Sequence, residues 1–205
     1  MTDTLFNHPR YPLLVVISGP SGVGKDAALE RMKERRLPFH FVVTATTRPP
    51  RPGEVHGRDY LFLSKDEFAE MIEHDELLEY AVVYDDFKGV PKQQVRDALA
   101  SGLDVVMRVD VQGAASLRAS IPGAVTIFIS TASEDELKER LTARNTETAE
   151  SLKLRIATAR KELQRLHEFD YYVVNHQGAL DETVDKIVAI IEAEHCRTAQ
   201  KPMSL

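Results

Sequence analysis

Val15-Val16-Ile17-Ser18-Gly19-Pro20-Ser21-Gly22-Val23-Gly24-Lys25-Asp26 is the stretch from which the rest of the chain is read. The apolar run from Leu13 to Ile17 predicts a buried strand, and a glycine-rich turn follows it. After Lys25 the spacing becomes helical, with Ala28, Leu29 and Met32 on one face. Strand, then G-x-x-x-x-G-K, then helix is the phosphate-binding loop arrangement. Its physics is direct. Gly19, Gly22 and Gly24 let the backbone turn so that successive N–H groups point at an anion. The helix that follows presents its positive dipole end to the same phosphates, and Lys25 reaches their oxygens. Gly19, Pro20, Ser21, Gly22, Val23, Gly24 and Lys25 are therefore the expected ATP-binding loop. An ordinary strand-to-helix turn is the plainer alternative, and the correct flanks argue against it. One position breaks the pattern: Asp26 stands where a Ser or Thr hydroxyl normally holds Mg²⁺. A carboxylate is a good hard ligand for that ion, yet it also places negative charge beside a polyphosphate.

The bulk numbers set the frame. A length of 205 residues suits one α/β domain with inserted lobes. With a net charge of −6 and no basic run interleaved with aromatics, nucleic acid is not an expected partner. The single cysteine, Cys196, rules out an intramolecular disulfide and a cysteine-based metal site, in keeping with a reducing cytoplasm. No apolar segment approaches a membrane span, and Met1 to Pro12 lacks a leader's apolar stretch. Flexible ends are expected at 1–11 and 196–205.

Strands are predicted at Phe39–Thr44, Asp59–Leu63, Leu77–Tyr84, Asp104–Asp110, Val125–Ile129 and Tyr171–Asn175. Helices are predicted at Lys25–Arg36, after a Ser64–Glu67 capping box, at Val95–Ala100, Glu134–Ala143, Ser151–Glu168 and Leu180–Glu194. Asp85 to Gly89 reads as a turn. The alternation argues for an α/β fold, a parallel sheet flanked by helices. Residues 44–91 depart from it and read as an inserted lobe, and 134–165 as a charged helical lid. The core is left with 12–43, 92–133 and 166–195.

Several residue sets carry possible chemistry. Arg48 and Arg51 sit in a proline-stiffened loop, a suitable device for capturing a second phosphate, although idle solvated arginines fit the spacing equally well. Arg140 and Arg144 share a helix face, and Arg155 and Arg160 follow on the next charged helix. A closing lid can deliver such arginines to a transferring phosphoryl group. The plainer reading pairs them with neighbouring acids, Glu136 with Arg140 for example. Asp110 ends a predicted strand, where it either faces a ligand crevice or caps the next helix. The seven histidines show no metal-ligand spacing and are expected at the surface.

Taken together, these residues resemble the guanylate kinases over about Leu13 to Glu194. The carrying motifs are Gly19 to Lys25, Thr46 to Glu54, Gly57-Arg58-Asp59-Tyr60, Leu78-Glu79-Tyr80, Val109 to Gly113 and Val173-Val174-Asn175. The resemblance implies a P-loop NTPase-type core with a monophosphate-binding lobe and a lid, phosphorylating GMP and dGMP from ATP with Mg²⁺ in purine nucleotide supply, as a cytoplasmic monomer or homodimer. It assigns Arg48, Arg51 and Tyr60 to the GMP phosphate and Thr44, Glu79 and Asp110 to guanine. Lys25, Arg140, Arg144 and Arg155 would surround the transferring phosphoryl, and Asn175 would lie near adenine. A carboxylate at Glu79 accepts from both N1–H and the 2-amino group of guanine, which adenine does not offer.

Four positions depart from the family pattern. Besides Asp26, Lys88 replaces a tyrosine that helps bind the GMP phosphate, and keeps attraction as a point charge. Val90 replaces a base-reading Ser or Thr, at a cost of about 1 kcal/mol if that bond is otherwise made. Arg108 replaces an acidic residue. A carboxylate has entered the P-loop while a cation has taken an acid's place on the strand expected beside it. The expectation is that Asp26 takes over the metal and Arg108 balances its charge. Two other readings stand beside the kinase: Lys25-Asp26 and Gly89-Val90 also resemble ribose 1,5-bisphosphate kinases, and a guanylate-kinase-like interaction module would use the monophosphate lobe without catalysis.

Overall fold

The computed structural model describes residues 10–83, 85–143, 149–199, 202–203 and 205. Five strands form a parallel sheet in the order β2-β7-β1-β8-β9: β1 (Leu14–Ser18), β2 (Phe39–Phe41), β7 (Asp104–Arg108), β8 (Val125–Ser130) and β9 (Tyr171–Val174). Central β1 is buried throughout, so its side chains feed both faces. Val15 and Ile17 join a cluster with Leu29 and Met32 of α1 (Lys25–Glu34) and Val184, Ile187 and Ile191 of α7 (Leu180–His195). Leu14 and Val16 join a second cluster with Val95 of α3 (Lys92–Ala100) and Ala114 and Leu117 of α4 (Val111–Ser120). That division is the period-two alternation of a strand buried on both sides.

A separate four-stranded sheet, in the order β4-β3-β6-β5, occupies the expected insertion. It comprises β3 (Ala45–Thr46), β4 (Leu61–Phe62), β5 (Leu77–Val83) and β6 (Asp86–Pro91). Ala45, Phe68 and Leu77 form its own small core beneath α2 (Lys65–Glu73). Ser64 caps α2 with the reciprocal Ser64–Glu67 capping box that the sequence predicts. Two further helices, α5 (Glu134–Thr142) and α6 (Ala149–Leu163), occupy the lid segment.

Several expectations change. The helix predicted over Ser151–Glu168 ends at Leu163, and a short 3-10 turn follows at Leu166–Glu168. The segment predicted as a turn is instead β6, which pairs with both β5 and β3; only Asp85, at φ 68°, turns the chain. The strand predicted at 39–44 ends at Phe41 in the large sheet, and a second short strand, Ala45–Thr46, begins the small sheet just beyond the predicted range. His195 is buried rather than superficial: its Nε2 lies 2.8 Å from Asp104 Oδ2, tying α7 to β7. Met203 and Leu205 pack against the second core cluster instead of fraying.

Candidate active site

A cleft of about 530 Å³ opens at the carboxyl ends of β1 and β7, walled by the P-loop, the small sheet and α6. This is where ligands of open α/β sheets bind. On one side, Gly19, Ser21, Gly22, Gly24, Lys25 and Asp26 line it. The loop's shape needs glycine: Gly19 has φ 136°, and a Cβ there would collide with the Ile129 carbonyl oxygen of β8. Val23 turns away into the core, and Pro20 is likewise not part of the wall. Lys25 Nζ donates to the Gly19 and Pro20 carbonyls at 2.6 and 2.8 Å, holding the loop's own backbone. Burial pulls the Lys25 pKa down to about 8, opposed by the charge of Asp26.

Two expected site residues lie behind the loop rather than in the cleft. Asn175 Nδ2 donates to the Val23 carbonyl at 2.8 Å. Arg140 donates to the Val23 carbonyl at 3.1 Å and the Asn175 carbonyl at 2.8 Å, while ion-pairing with Glu136. Both brace the P-loop from outside, and the Glu136–Arg140 pairing is the plainer of the two sequence readings. Arg155, from α6, does reach the cleft, donating to Ser21 Oγ at 2.9 Å. Arg144 lies outside the described residues.

The opposite side is cationic. Arg48, Arg51, Lys88 and Arg108 all line it, with Tyr60 among them. Arg48 is aimed by a bidentate pair to Glu54, both contacts 2.7 Å, and Glu54 also accepts from the Arg51 N–H at 2.8 Å. Two guanidinium groups lie over the Tyr60 ring, Arg48 4.7 Å and Arg108 4.5 Å from its centroid. Burial pulls the Lys88 pKa down, against the attraction of Asp110 and Asp26. Arg108 Nε lies 2.9 Å from Asp26 Oδ1, so the charge pairing expected from the sequence is present.

Deeper in the cleft, Thr44 and Glu79 are 5% and 7% exposed, and among the described residues neither Thr44 Oγ1 nor Glu79 Oε2 has a hydrogen-bond partner. Buried polar atoms in native proteins are almost always satisfied, so this pair marks a place for a polar ligand. Burial, helped by Asp110, raises the Glu79 pKa to about 8. Gly113 makes the room: a Cβ there would sit 2.6 Å from Glu79 Oε2. Asp110 lines the cleft and also caps α4, accepting from the Gly113 N–H at 2.9 Å, so both of its sequence readings hold. Val90 is fully buried in the second core cluster and offers nothing to the cleft.

Comparison with known proteins matches this geometry. The guanylate kinase family model covers residues 11–194. The chain belongs to the guanylate kinase family. Guanylate kinase 2, chloroplastic/mitochondrial, of Oryza sativa subsp. japonica is 52% identical, over 96% of this chain and 70% of that protein. The guanylate kinase of Gloeobacter violaceus is 47% identical, over 91% of this chain and 86% of its own length. The crystal structure of guanylate kinase from Anaplasma phagocytophilum superposes with a TM-score of 0.75 at 30% identity, covering 93% of this chain and 89% of that one. Neither the sugar-bisphosphate kinase reading nor the interaction-module reading gains support from these relatives.

Some residues of this guanylate kinase site escape a sequence reading. Thr158, Lys161, Glu162 and Arg165 of the lid side line the cleft with Arg155. Positions 155, 158, 162 and 165 keep helical spacing, and that periodicity was the available signal. Burial raises the Glu162 pKa to about 7, against the pull of Lys25. Glu54 is the other omission, since only the fold shows which arginine it orients.

Proposed function

We propose that this guanylate kinase transfers the γ-phosphoryl group of ATP to the phosphate of GMP or dGMP, giving ADP and the nucleoside diphosphate. The observation that carries the acceptor's identity is the buried pair Thr44 Oγ1 and Glu79 Oε2, without partners among the described residues, at the end of a cationic cleft. Guanine's N1–H and 2-amino groups satisfy a carboxylate, and its phosphate then falls toward Arg48, Arg51, Tyr60 and Lys88. On the donor side the P-loop N–H groups and Lys25 hold the polyphosphate, and Lys25 exchanges its two carbonyl partners for phosphate oxygens. Arg155 completes the surround from α6, stabilising charge that spreads over the equatorial oxygens. Arg140 and Asn175 serve the same loop indirectly, by fixing the Val23 carbonyl from behind.

Mg²⁺ fits the donor set. Among the described residues no group of three or more His, Cys, Asp or Glu side chains is placed to hold a metal. Asp26, half exposed on the cleft wall, supplies one hard oxygen, and Mg²⁺ commonly binds through one carboxylate, substrate phosphates and waters. Held there, Mg²⁺ would supply positive charge to offset the negative charge of the transferring phosphoryl group. Among the described residues no helix is long and apolar enough to cross a membrane, and a reducing compartment such as the cytoplasm suits the lone exposed Cys196.

A coupled assay of ADP release tests the reading with GMP, dGMP, AMP, CMP, UMP and ribose 1,5-bisphosphate as acceptors. Turnover confined to GMP and dGMP is expected. Turnover on the sugar bisphosphate alone, or on none of them, overturns it.

A further inference from the structure

Arg108 touches three separate parts of the protein from the end of β7. Its Nε pairs with Asp26 at the start of α1, 2.9 Å away. Its terminal nitrogen donates to the Asp59 carbonyl of the inserted lobe at 3.0 Å. Its guanidinium face covers the Tyr60 ring, which Arg48 covers from elsewhere at similar distance. The Arg108 side chain is 13% exposed and so held in place, whereas Asp26 is half exposed at the cleft wall, with room to turn. One cation thus joins the donor half of the cleft, through Asp26, to the acceptor half, through Asp59 and Tyr60.

The two halves make opposite demands on Asp26. The same carboxylate that pairs with Arg108 is the hard oxygen offered to the divalent cation of a nucleotide. A carboxylate that turns to a dication gives up much of its attraction for a guanidinium. Arg108 then has an unbalanced positive charge beside Tyr60, Arg48 and Lys88, the groups proposed above to receive the acceptor phosphate.

We propose that Arg108 is a positioning residue that couples the two substrates. It is held by Asp26 in the ligand-free protein, and it is released toward the acceptor phosphate when Asp26 turns to the metal–nucleotide. This rests on the GMP reading above. Because coupling between sites is reciprocal, metal–nucleotide strengthens GMP binding and GMP strengthens metal–nucleotide binding. Arg108 carries that linkage, and Asp26 is its switch.

The test is calorimetric binding of GMP alone and with ADP, in the presence of Mg²⁺ or of a chelator, so that no turnover intervenes. For the unaltered protein, Mg²⁺ with ADP is expected to tighten GMP binding about fivefold or more, and ADP with chelator much less. In Arg108→Gln the dependence on Mg²⁺ disappears. Arg108→Lys keeps the charge but not the fork, and restores part of it. Asp26→Asn binds GMP with nearly the same affinity under both conditions, and the double variant adds no further loss of coupling. Manganese EPR of the same proteins reads the metal side independently, and GMP should tighten Mn²⁺–ADP binding only where Arg108 is intact. An unaltered coupling in folded Arg108→Gln and Arg108→Lys overturns the proposal. Failure of the unaltered protein to bind or phosphorylate GMP overturns instead the reading on which it rests.

Discussion

Glu79 is a buried acid whose ordinary charge state and working charge state differ. With its pKa raised to about 8 by burial, it favours the protonated form at neutral pH, whereas the proposed reading of guanine's two donors requires the carboxylate. GMP binding must therefore release a proton, and its affinity should rise by up to tenfold per pH unit from 6.5 toward 8 before levelling. Calorimetry across that range, in buffers of different ionisation enthalpy, checks both the slope and the proton; a flat profile contradicts it. Stability runs the other way. Between 4.5 and about 8 the folded protein holds a proton at Glu79 that the unfolded chain has lost, so this group costs stability as pH rises through that window. Glu79→Gln should remove both dependences while lowering kcat/KM for GMP at least about a hundredfold. Gly113→Ala acts on the same group sterically, pushing its carboxylate aside. GMP KM should rise about tenfold or more, with ATP KM nearly unchanged in steady-state kinetics. Asp26→Ala should abolish Mg²⁺-dependent turnover, and Asp26→Ser should recover it only with an acid also placed at position 108.

At the scale of elements, α6 and α2 illustrate two kinds of dependence on a helix. The α6 helix brings Arg155 to Ser21 and lines the cleft with Glu162, so on the proposed reading it serves the chemistry. Arg155→Ala should lower kcat by about a hundredfold or more while leaving GMP affinity within a few-fold, since its contacts lie on the donor side. Single-turnover kinetics beside equilibrium binding separates the two. The α2 helix lies away from the chemistry, beneath the small sheet. Its capping box satisfies two backbone donors, and Ser64→Ala should cost about 0.5–2 kcal/mol in denaturant unfolding with GMP affinity retained. Helix α2 was readable in advance because a capping box is local chemistry. Strand β6 was not, because Asp-Asp-Phe-Lys-Gly carries turn residues and only pairing with β3 and β5 on both sides makes it a strand.

The whole molecule sets a rigid parallel sheet beside a smaller sheet, with the cleft between them. The far end of the large sheet is secured by groups with no part in the chemistry. Asp104 accepts from the Leu13 N–H at 2.9 Å and pairs with His195, both side chains under 10% exposed. His195→Ala leaves that carboxylate short of a partner and should cost about 2–3 kcal/mol, seen as a lower Tm with KM for both substrates unchanged.

The sequence by itself determined the class of fold, the phosphate loop and the candidate recognition residues, because these are written in short runs. A strand–glycine–lysine–helix run, a proline-framed pair of arginines and a capping box depend on neighbours a few positions away. Tertiary structure decided what depends on residues far apart in the chain. It placed Arg140 and Asn175 behind the loop, left Glu79 and Thr44 without partners among the described residues, and buried the His195 side chain against Asp104. It also brought Asp26 and Arg108, 82 positions apart in the sequence, to 2.9 Å. Charge and burial act through space, so which cation answers which carboxylate is settled only once the strands are in register.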